Sequence, residues 1–266
     1  MYYLTNCSIV KNEFPYILEF YKINKYLGVQ HFLFFDRSTE GPPLKDLFKD
    51  HSDVEVIHFP EPNRHALAWL QGRNYYENKT VFTQFIDIDE VVVPMNGKSI
   101  PEMLEPFDRI PNLGSVGLNW HTFGSSGRED EPDYTTTSTY EAYTKRSDSG
   151  AGINNHIQSI CKPQNMVPRV WDDPHGGPVK PGFIQVNESQ ARSNGPFNIP
   201  PTQNIGFIAH YYTRSRAYWQ KKISKMRADT GTSGGTMEDF DHHQVYMNAV
   251  EDLTVKNIWD KAKLIK

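Results

Sequence analysis

Cysteine is nearly absent from this chain: Cys7 and Cys161 are the only two in 266 residues. That is too few for the disulfide framework of a small secreted domain, and two reduced thiols in a cytosolic chain are expected. Long apolar runs are missing as well. No stretch approaches the roughly 20 consecutive apolar residues of a membrane span. The opening Met1-Tyr2-Tyr3-Leu4-Thr5-Asn6 lacks the basic and then apolar regions of a signal peptide. The expected compartment is therefore the cytoplasm, and the sequons at Asn78 and Asn187 read as accidental. An excess of positive charge is lacking too: 28 Lys+Arg stand against 32 Asp+Glu, a formal net charge of −4. Nucleic-acid-binding domains usually carry a basic footprint, so the balance argues against that class. With 38% hydrophobic residues the chain is also too apolar to be disordered.

What is present is aromatic weight (13%) and 18 Pro beside 18 Gly, the composition of a packed core under long structured loops. The first third alternates strand-like and helix-like segments. Strands are predicted at 4–10, 29–35, 54–59 and 81–88, with helices at 14–27, 44–49 and 66–76 between them. Gly28 stands where a helix C-terminal glycine is expected. A βαβαβαβ order implies parallel strands with right-handed crossovers, and ligands bind outside the carboxyl ends of such strands. After Pro94 the pattern predicts a helix at 99–107 and a strand at 115–120. Short strands follow at 154–162, 169–171, 182–186 and 205–210, with helices at 216–226 and 242–250. The stretch 187–202 reads as a surface excursion. The second half's short strands could hardly form an independent core, so 1–266 reads as a single domain, with a ligand-binding half at 1–94 completed by 95–266.

The sharpest local signal is Phe85-Ile86-Asp87-Ile88-Asp89-Glu90, an apolar strand ending in acids two residues apart. Period-two alternation puts Asp87 and Asp89 on one side, with Cα atoms roughly 6 to 7 Å apart. That separation suits a shared metal and diphosphate site better than a direct two-carboxylate clamp, and hard oxygen ligands select Mg²⁺ or Mn²⁺. Two solvated acids at a strand end are the alternative. Asn12 and Glu13 follow the first strand and Asp36 the second, so three polar clusters converge on one sheet edge, where a base and ribose can find polar partners. Asn12 could equally cap the helix that begins near Phe14.

Five blocks, in order and spacing, resemble the glycosyltransferase family 2-like and family 92 group. They are Val10-Lys11-Asn12-Glu13-Phe14-Pro15-Tyr16, Leu27-Gly28-Val29-Gln30-His31-Phe32, and Phe85-Ile86-Asp87-Ile88-Asp89-Glu90. Further on come Leu118-Asn119-Trp120-His121-Thr122-Phe123-Gly124-Ser125-Ser126-Gly127 and Ala209-His210-Tyr211-Tyr212-Thr213-Arg214-Ser215. The resemblance implies an α/β GT-A (Rossmann-like) fold, with a mixed, mostly parallel central sheet flanked by helices. It also implies a nucleoside diphosphate sugar donor, a saccharide acceptor and a divalent ion held by the D-x-D. By that likeness Asp89 is the best metal ligand, Asp87 a metal or donor contact and His210 the third ligand. The family's loop normally continues Gly-Ser-Ser-Gly-His, whereas Arg128 stands in place of that histidine, which leaves the acceptor contacts open.

If the enzyme inverts, as the likeness suggests, a carboxylate must deprotonate the acceptor hydroxyl. Candidates are Glu129, Asp130 and Glu131 after the Gly-Ser loop, and Asp172 and Asp173 after Trp171. Asp172 and Asp173 are favoured because a Trp beside an acid can stack on a sugar face. Trp120 and His121 are expected to line the same pocket, and Trp120 can alternatively be core. Arg64 and His65 can meet the base or diphosphate, and Lys162 and Lys180 have weaker claims on the diphosphate. His242 and His243 are adjacent on a predicted helix and make a poor chelating pair. The leading expectation is a metal-dependent glycosyltransferase. A nucleotide-sugar or phosphate-ester hydrolase and a non-catalytic glycan-binding module are the alternatives. The lack of an anchor is more like a bacterial or virus-encoded cytosolic enzyme, or a catalytic domain cut from a longer chain.

Overall fold

A computed structural model of the chain describes residues 1–60, 65–171, 173, 175–224 and 235–265. In chain order the first elements are β1 (Tyr2–Val10), α1 (Ile17–Tyr26), β2 (His31–Asp36), α2 (Leu44–Leu47), β3 (Val54–His58), α3 (His65–Tyr76), β4 (Thr80–Phe85) and β5 (Glu90–Pro94). They are followed by α4 (Ile100–Asp108), β6 (Leu113–Thr122), α5 (Thr139–Ala142), β7 (Lys145–Arg146), β8 (Ile157–Cys161), β9 (Ile184–Asn187) and β10 (Arg192–Ser193). The last are β11 (Gly206–His210), α6 (Arg216–Ser224), α7 (Met237–Met247), β12 (Val250–Glu251) and α8 (Thr254–Ala262).

The strands read as parallel in the first third are parallel, in the order β3-β2-β1-β4. β2 is buried along its whole length, and its side chains divide by parity. Phe32 and Phe34 join the larger core cluster with Phe20 and Tyr21 of α1, whereas Leu33 and Phe35 join a second cluster with Trp69 of α3. A strand covered on both faces by helices has no polar side, which is why this segment reads as a continuous apolar run. Beyond β4 the sheet becomes mixed: β8 runs antiparallel between β4 and β6, and β9 and β11 run parallel to β6. The result is the mixed, mostly parallel sheet flanked by helices that the sequence implied. No helix of the described residues is long and apolar enough to cross a membrane.

Gly28 ends α1 with φ +106°, and a Cβ there would lie 2.7 Å from Pro101 Cδ, so both its left-handed backbone and the close approach of α4 require glycine. Several elements differ from the sequence reading. α1 begins at Ile17 rather than Phe14, because the Glu13 carbonyl accepts both the Tyr16 and Ile17 amides and holds a turn before the helix. The fourth strand stops at Phe85: the Asp87 carbonyl accepts the Glu90 amide at 3.1 Å, and the chain turns into β5. No strand forms at 169–171. α7 starts at Met237 behind a Thr236–Asp239 capping box, and 250–251 belong to a two-stranded ribbon with β7. α8 was not anticipated, although Val255, Trp259 and Ala262 recur at helical spacing. Cys7 and Cys161 are both free and buried, as expected of reduced thiols.

Glu19 on α1 is buried and accepts the Thr139 amide at 3.0 Å. Burial pushes its carboxyl up to about 7, with partial relief from Thr139 and Arg214. Between the ordinary 4.5 and about 7 the native chain holds a proton that the unfolded chain has released. The stability linked to this group is therefore full below the unfolded value and is lost as pH rises through the folded one. Glu19→Gln is expected to flatten that slope and to raise stability by about 3 kcal/mol at most once the wild-type carboxyl is ionised. Denaturant midpoints measured across the acid-to-neutral range check this, and a profile unchanged by the substitution would refute it.

Candidate active site

Topology alone brings one set of residues to one sheet edge. β4, β6 and β11 all end there, β5 and β8 start there, and β1 and β2 end on the same side. Asp36, Asp87, Asp89, Glu90, Trp120, His156 and His210 are consequently gathered at the carboxyl ends. Asp87 and Asp89 come together through the turn between β4 and β5 rather than through strand alternation. The Asp89 carbonyl accepts the Tyr211 amide at 2.8 Å, which fixes the turn beside the end of β11. His210 Nε2 then lies 3.7 Å from Asp89 Oδ2, and Lys222 Nζ of α6 lies 3.7 Å from the same oxygen. Burial alone would raise the Asp89 carboxyl. The close approach of His210, with Lys222 and Arg214, instead holds it well below the usual carboxylate range. Asp87 goes the other way: burial and repulsion from Asp89 raise it, against His175, His210 and Lys222. Its Oδ1 faces His65 Nε2 at 3.5 Å. Glu90 is buried beneath the turn and accepts from Gln158 Nε2 at 2.9 Å and from the Asp87 amide at 3.2 Å; burial, then Asp87 and Asp89, raise its carboxyl well above the ordinary value.

Trp120 closes the other side of His210, with ring centroids 4.3 Å apart. It stacks on His156 at 4.7 Å and meets His175 edge-on at 5.4 Å. The Trp120 Nε1 and the Nδ1 atoms of His156, His175 and His210 are buried without a hydrogen-bond partner among the described residues. Buried polar atoms normally find partners in protein, ordered water or a ligand, and four such atoms meet at this strand-end crevice. Among the described residues no three His, Cys, Asp or Glu side chains group closely enough to hold a metal. Asp89 Oδ2 and His210 Nε2 form a two-donor set; Mg²⁺ sites commonly combine one or two carboxylates with substrate phosphates, and an imidazole beside the carboxylate suits a first-row transition ion. The donor set therefore fits a divalent ion completed by a diphosphate.

The other expected residues are dispersed in instructive ways. Asn12, at φ +58°, caps no helix; its Oδ1 accepts the Thr39 amide at 2.8 Å and the Glu40 amide at 3.2 Å, latching the loop after β2. Asp36 Oδ1 accepts the Ser38 amide at 2.9 Å in the same loop. Glu13 stands in the field of the buried Arg214. Glu129 is exposed and pairs with Arg216 at 3.1 Å, while its carbonyl accepts the Ala217 amide. Asp130 is exposed, and Glu131 accepts from Tyr16 Oη at 2.6 Å and pairs with Lys221. Asp173 Oδ1 accepts the His175 amide at 2.8 Å, which places it next to the histidines around Trp120. Arg64 and Asp172 lie outside the described residues.

Several expectations are corrected. His121 does not share the Trp120 pocket, because adjacent strand residues face opposite sides; it packs on Phe207 at 4.5 Å, and burial, then Arg146, lowers it to about 4. Trp171 is 3% exposed and packs on Phe85, so its ring is not available to a sugar. Lys162 pairs with Asp108 at 2.5 Å, and Lys180 donates to the Gln164 carbonyl at 2.8 Å and faces Glu77, which precedes β4 at the opposite edge. His243 packs against Tyr212 and bonds Tyr246 Oη at 2.7 Å. The Gly-Ser-Ser-Gly loop is a clamp onto α7. Ser126 N donates to Asn248 Oδ1 at 2.8 Å, and a Cβ on Gly124 would lie 2.7 Å from the Met247 carbonyl oxygen. Lys222, Arg214, His156 and His175 were not anticipated as neighbours of the site, since only tertiary packing brings them to the D-x-D.

A sheet that gathers acids, a histidine and an indole at its carboxyl edge is that of a crevice-binding α/β protein. The sequence model of glycosyltransferase family 92 matches residues 6–169, and the chain belongs to that family. A glycosyltransferase family 92 protein of Oryza sativa subsp. japonica is 22% identical over 187 residues, which cover 69% of this chain and 31% of the rice protein. The chain thus spans about a third of the length of that relative. Among solved structures, glucosyl-3-phosphoglycerate synthase from Mycobacterium tuberculosis, in complex with Mn²⁺, UDP-glucose and phosphoglyceric acid, is similar at 13% identity. The match covers 74% of this chain and 73% of that one, with a TM-score of 0.37. A putative glucose-1-phosphate thymidylyltransferase from Bacillus anthracis is similar at 9% identity, over 60% of this chain and 72% of that one, with a TM-score of 0.36.

The opposite facing of Trp120 and His121 can be tested directly. Trp120→Ala removes the ring that holds His210 and is expected to weaken Mn²⁺ binding by about tenfold or more, as loss of a ligand-orienting neighbour does. His121→Phe is expected to leave it within about twofold. Calorimetric titration with MnCl₂ distinguishes the two, and equal effects would refute the assignment of faces.

Proposed function

We propose that this chain transfers a sugar from a nucleoside diphosphate sugar to a hydroxyl of a glycan acceptor, with inversion, and that it needs Mn²⁺ or Mg²⁺. The observation that carries the reading is the meeting of Asp89 Oδ2 and His210 Nε2 at 3.7 Å on the carboxyl edge of the sheet of a family 92 chain. Asp89 and His210 would hold the ion, with Asp87 beside them. When bound, it would neutralise charge on the departing diphosphate. Glu13 and Asp36 would meet the nucleoside, and Asn12 would act by holding the 38–40 loop around it; Arg64 remains a candidate for the diphosphate. Trp120 would wall the sugar site and keep His210 in place.

For the base, proximity to the histidines around Trp120 favours Asp173 over Glu129, whose carboxylate already pairs with Arg216 in the open. Asp172 remains its sequence neighbour in the same role. The sheet is shared by strands from 1–94 and 95–266, which supports one domain with a donor half and an acceptor half.

The test is release of UDP or GDP from a panel of nucleotide sugars with and without saccharide acceptors and MnCl₂. Transfer requires release that depends on both acceptor and metal; release without acceptor would indicate hydrolysis instead. Asp89→Ala is expected to abolish release; because the carboxylate also balances His210 and Lys222, folding of the variant is checked by circular dichroism alongside. Asp173→Asn is expected to cut kcat by about 10² to 10⁴. Full turnover of Asp89→Ala would sink the metal assignment. An unchanged kcat for Asp173→Asn would move the base to Asp172 or Glu129.

A further inference from the structure

Lys222 has no place in the reading above, yet its ammonium faces the same Asp89 oxygen as His210, at the same 3.7 Å. It also donates to the Tyr212 carbonyl at 3.0 Å, and its Nζ lies 4.8 Å from the Tyr212 ring and 5.8 Å from the Trp219 ring. The side chain is 30% exposed, so the ammonium reaches solvent while its stem runs along aromatic faces. A second cation stands nearby. Arg214 is buried between the rings of Tyr16 and Tyr218, 4.0 and 4.7 Å from their centroids. Its Nε and Nη1 have no hydrogen-bond partner among the described residues. Arg214 is fixed by that stacking, whereas Lys222 has a flexible four-carbon stem.

An ammonium and a divalent ion cannot both sit against one carboxylate oxygen without strong repulsion. We propose that Lys222 is a placeholder cation: it balances Asp89 while the site is empty, and passes to the diphosphate oxygens of the donor when a divalent ion takes Asp89. The inference rests on Asp89 and His210 as the metal-holding pair. The charges suit the exchange, because the incoming diphosphate brings the anionic oxygens that Lys222 loses in leaving Asp89, and Arg214 fixes positive charge behind them. In this role Lys222 makes metal and donor binding cooperative, since the ion alone must displace a bound cation and the diphosphate gives that cation a new partner.

A role in packing alone would not move metal and nucleotide affinities in opposite directions, and the placeholder does. Lys222→Met keeps an unbranched stem against Tyr212 and Trp219, and Lys222→Arg keeps the charge. Mn²⁺ binding is followed by electron paramagnetic resonance without nucleotide. Binding of UDP and GDP is then followed by calorimetry at saturating MnCl₂, with uridine and guanosine as phosphate-free controls. Lys222→Met is expected to bind Mn²⁺ about threefold more tightly or better and the preferred diphosphate about tenfold more weakly, with nucleoside binding unchanged. Lys222→Arg is expected to restore diphosphate binding. Unchanged or weaker Mn²⁺ binding by Lys222→Met, or unchanged diphosphate binding, would overturn the placeholder alone. A wild-type chain that binds no Mn²⁺ would overturn the metal-holding pair and the placeholder with it.

Discussion

The antiparallel pairing of β5 with β11 is the constraint on which the site depends. Five residue pairs run from Pro94 opposite Gly206 to Glu90 opposite His210, and the Tyr211 amide adds a bond to the Asp89 carbonyl. Each backbone bond contributes only about 1 kcal/mol net, but together they set a register. In this register Asp89 falls opposite Tyr211, one place beyond the Glu90–His210 pair, and a slip of one residue would turn His210 to the opposite face of the sheet. The meeting of Asp89 and His210 is thus a consequence of backbone geometry, and their mutual attraction does not have to create it. Pro94 can stand in this pairing because β5 pairs with β11 alone, so its missing N–H falls at the end of an edge strand.

The same constraint explains what could be read in advance. β2 was legible because a strand buried on both faces is a continuous apolar run, as Phe32 to Phe35 show. The carboxyl edge was legible because parallel strands deliver their ends to one side, which brought Asp36, Asp87 and Asp89 into consideration together. The turn inside Phe85–Glu90 was not legible. Phe85 to Val93 is apolar on both sides of the acids, and only the buried Glu90, bonded to Gln158 and to the Asp87 amide, shows why the strand must break there. The Trp120 and His121 pairing was an error of parity that the period-two rule already forbade. Lys222 was beyond reach for a different reason: nothing in the sequence of helix α6 says which strand end its face will meet.

Loops on the far side of His210 are held by amide side chains. Asn119, near the end of β6, donates to the Asn154 and Asn198 carbonyls at 2.9 and 3.1 Å and accepts from Asn198 Nδ2 at 2.7 Å and the Thr202 amide at 3.1 Å. Asn154 Oδ1 accepts from Thr122, and its Nδ2 donates to the Asp148 carbonyl. The segment 187–202 is therefore no loose excursion: Glu188 is fully buried and accepts the Ile205 amide at 2.5 Å. These bonds all reach backbone or amide atoms, so they fix the path of the loops without dictating what their outward side chains are.

That separation has a functional meaning within the proposed transferase. Phe197 and Ile199 project from the anchored segment, 47% and 72% exposed, and Phe197 meets the His156 ring that stacks on Trp120. A continuous row of rings thus runs from His210 through Trp120 and His156 to an open apolar rim. The inner end is tied to the sheet by register and cannot vary without moving His210. The outer end hangs on the asparagines, whose bonds hold its backbone path. Donor chemistry and acceptor choice would then sit at opposite ends of one aromatic row, with the first fixed by the fold and the second left to the loop sequence.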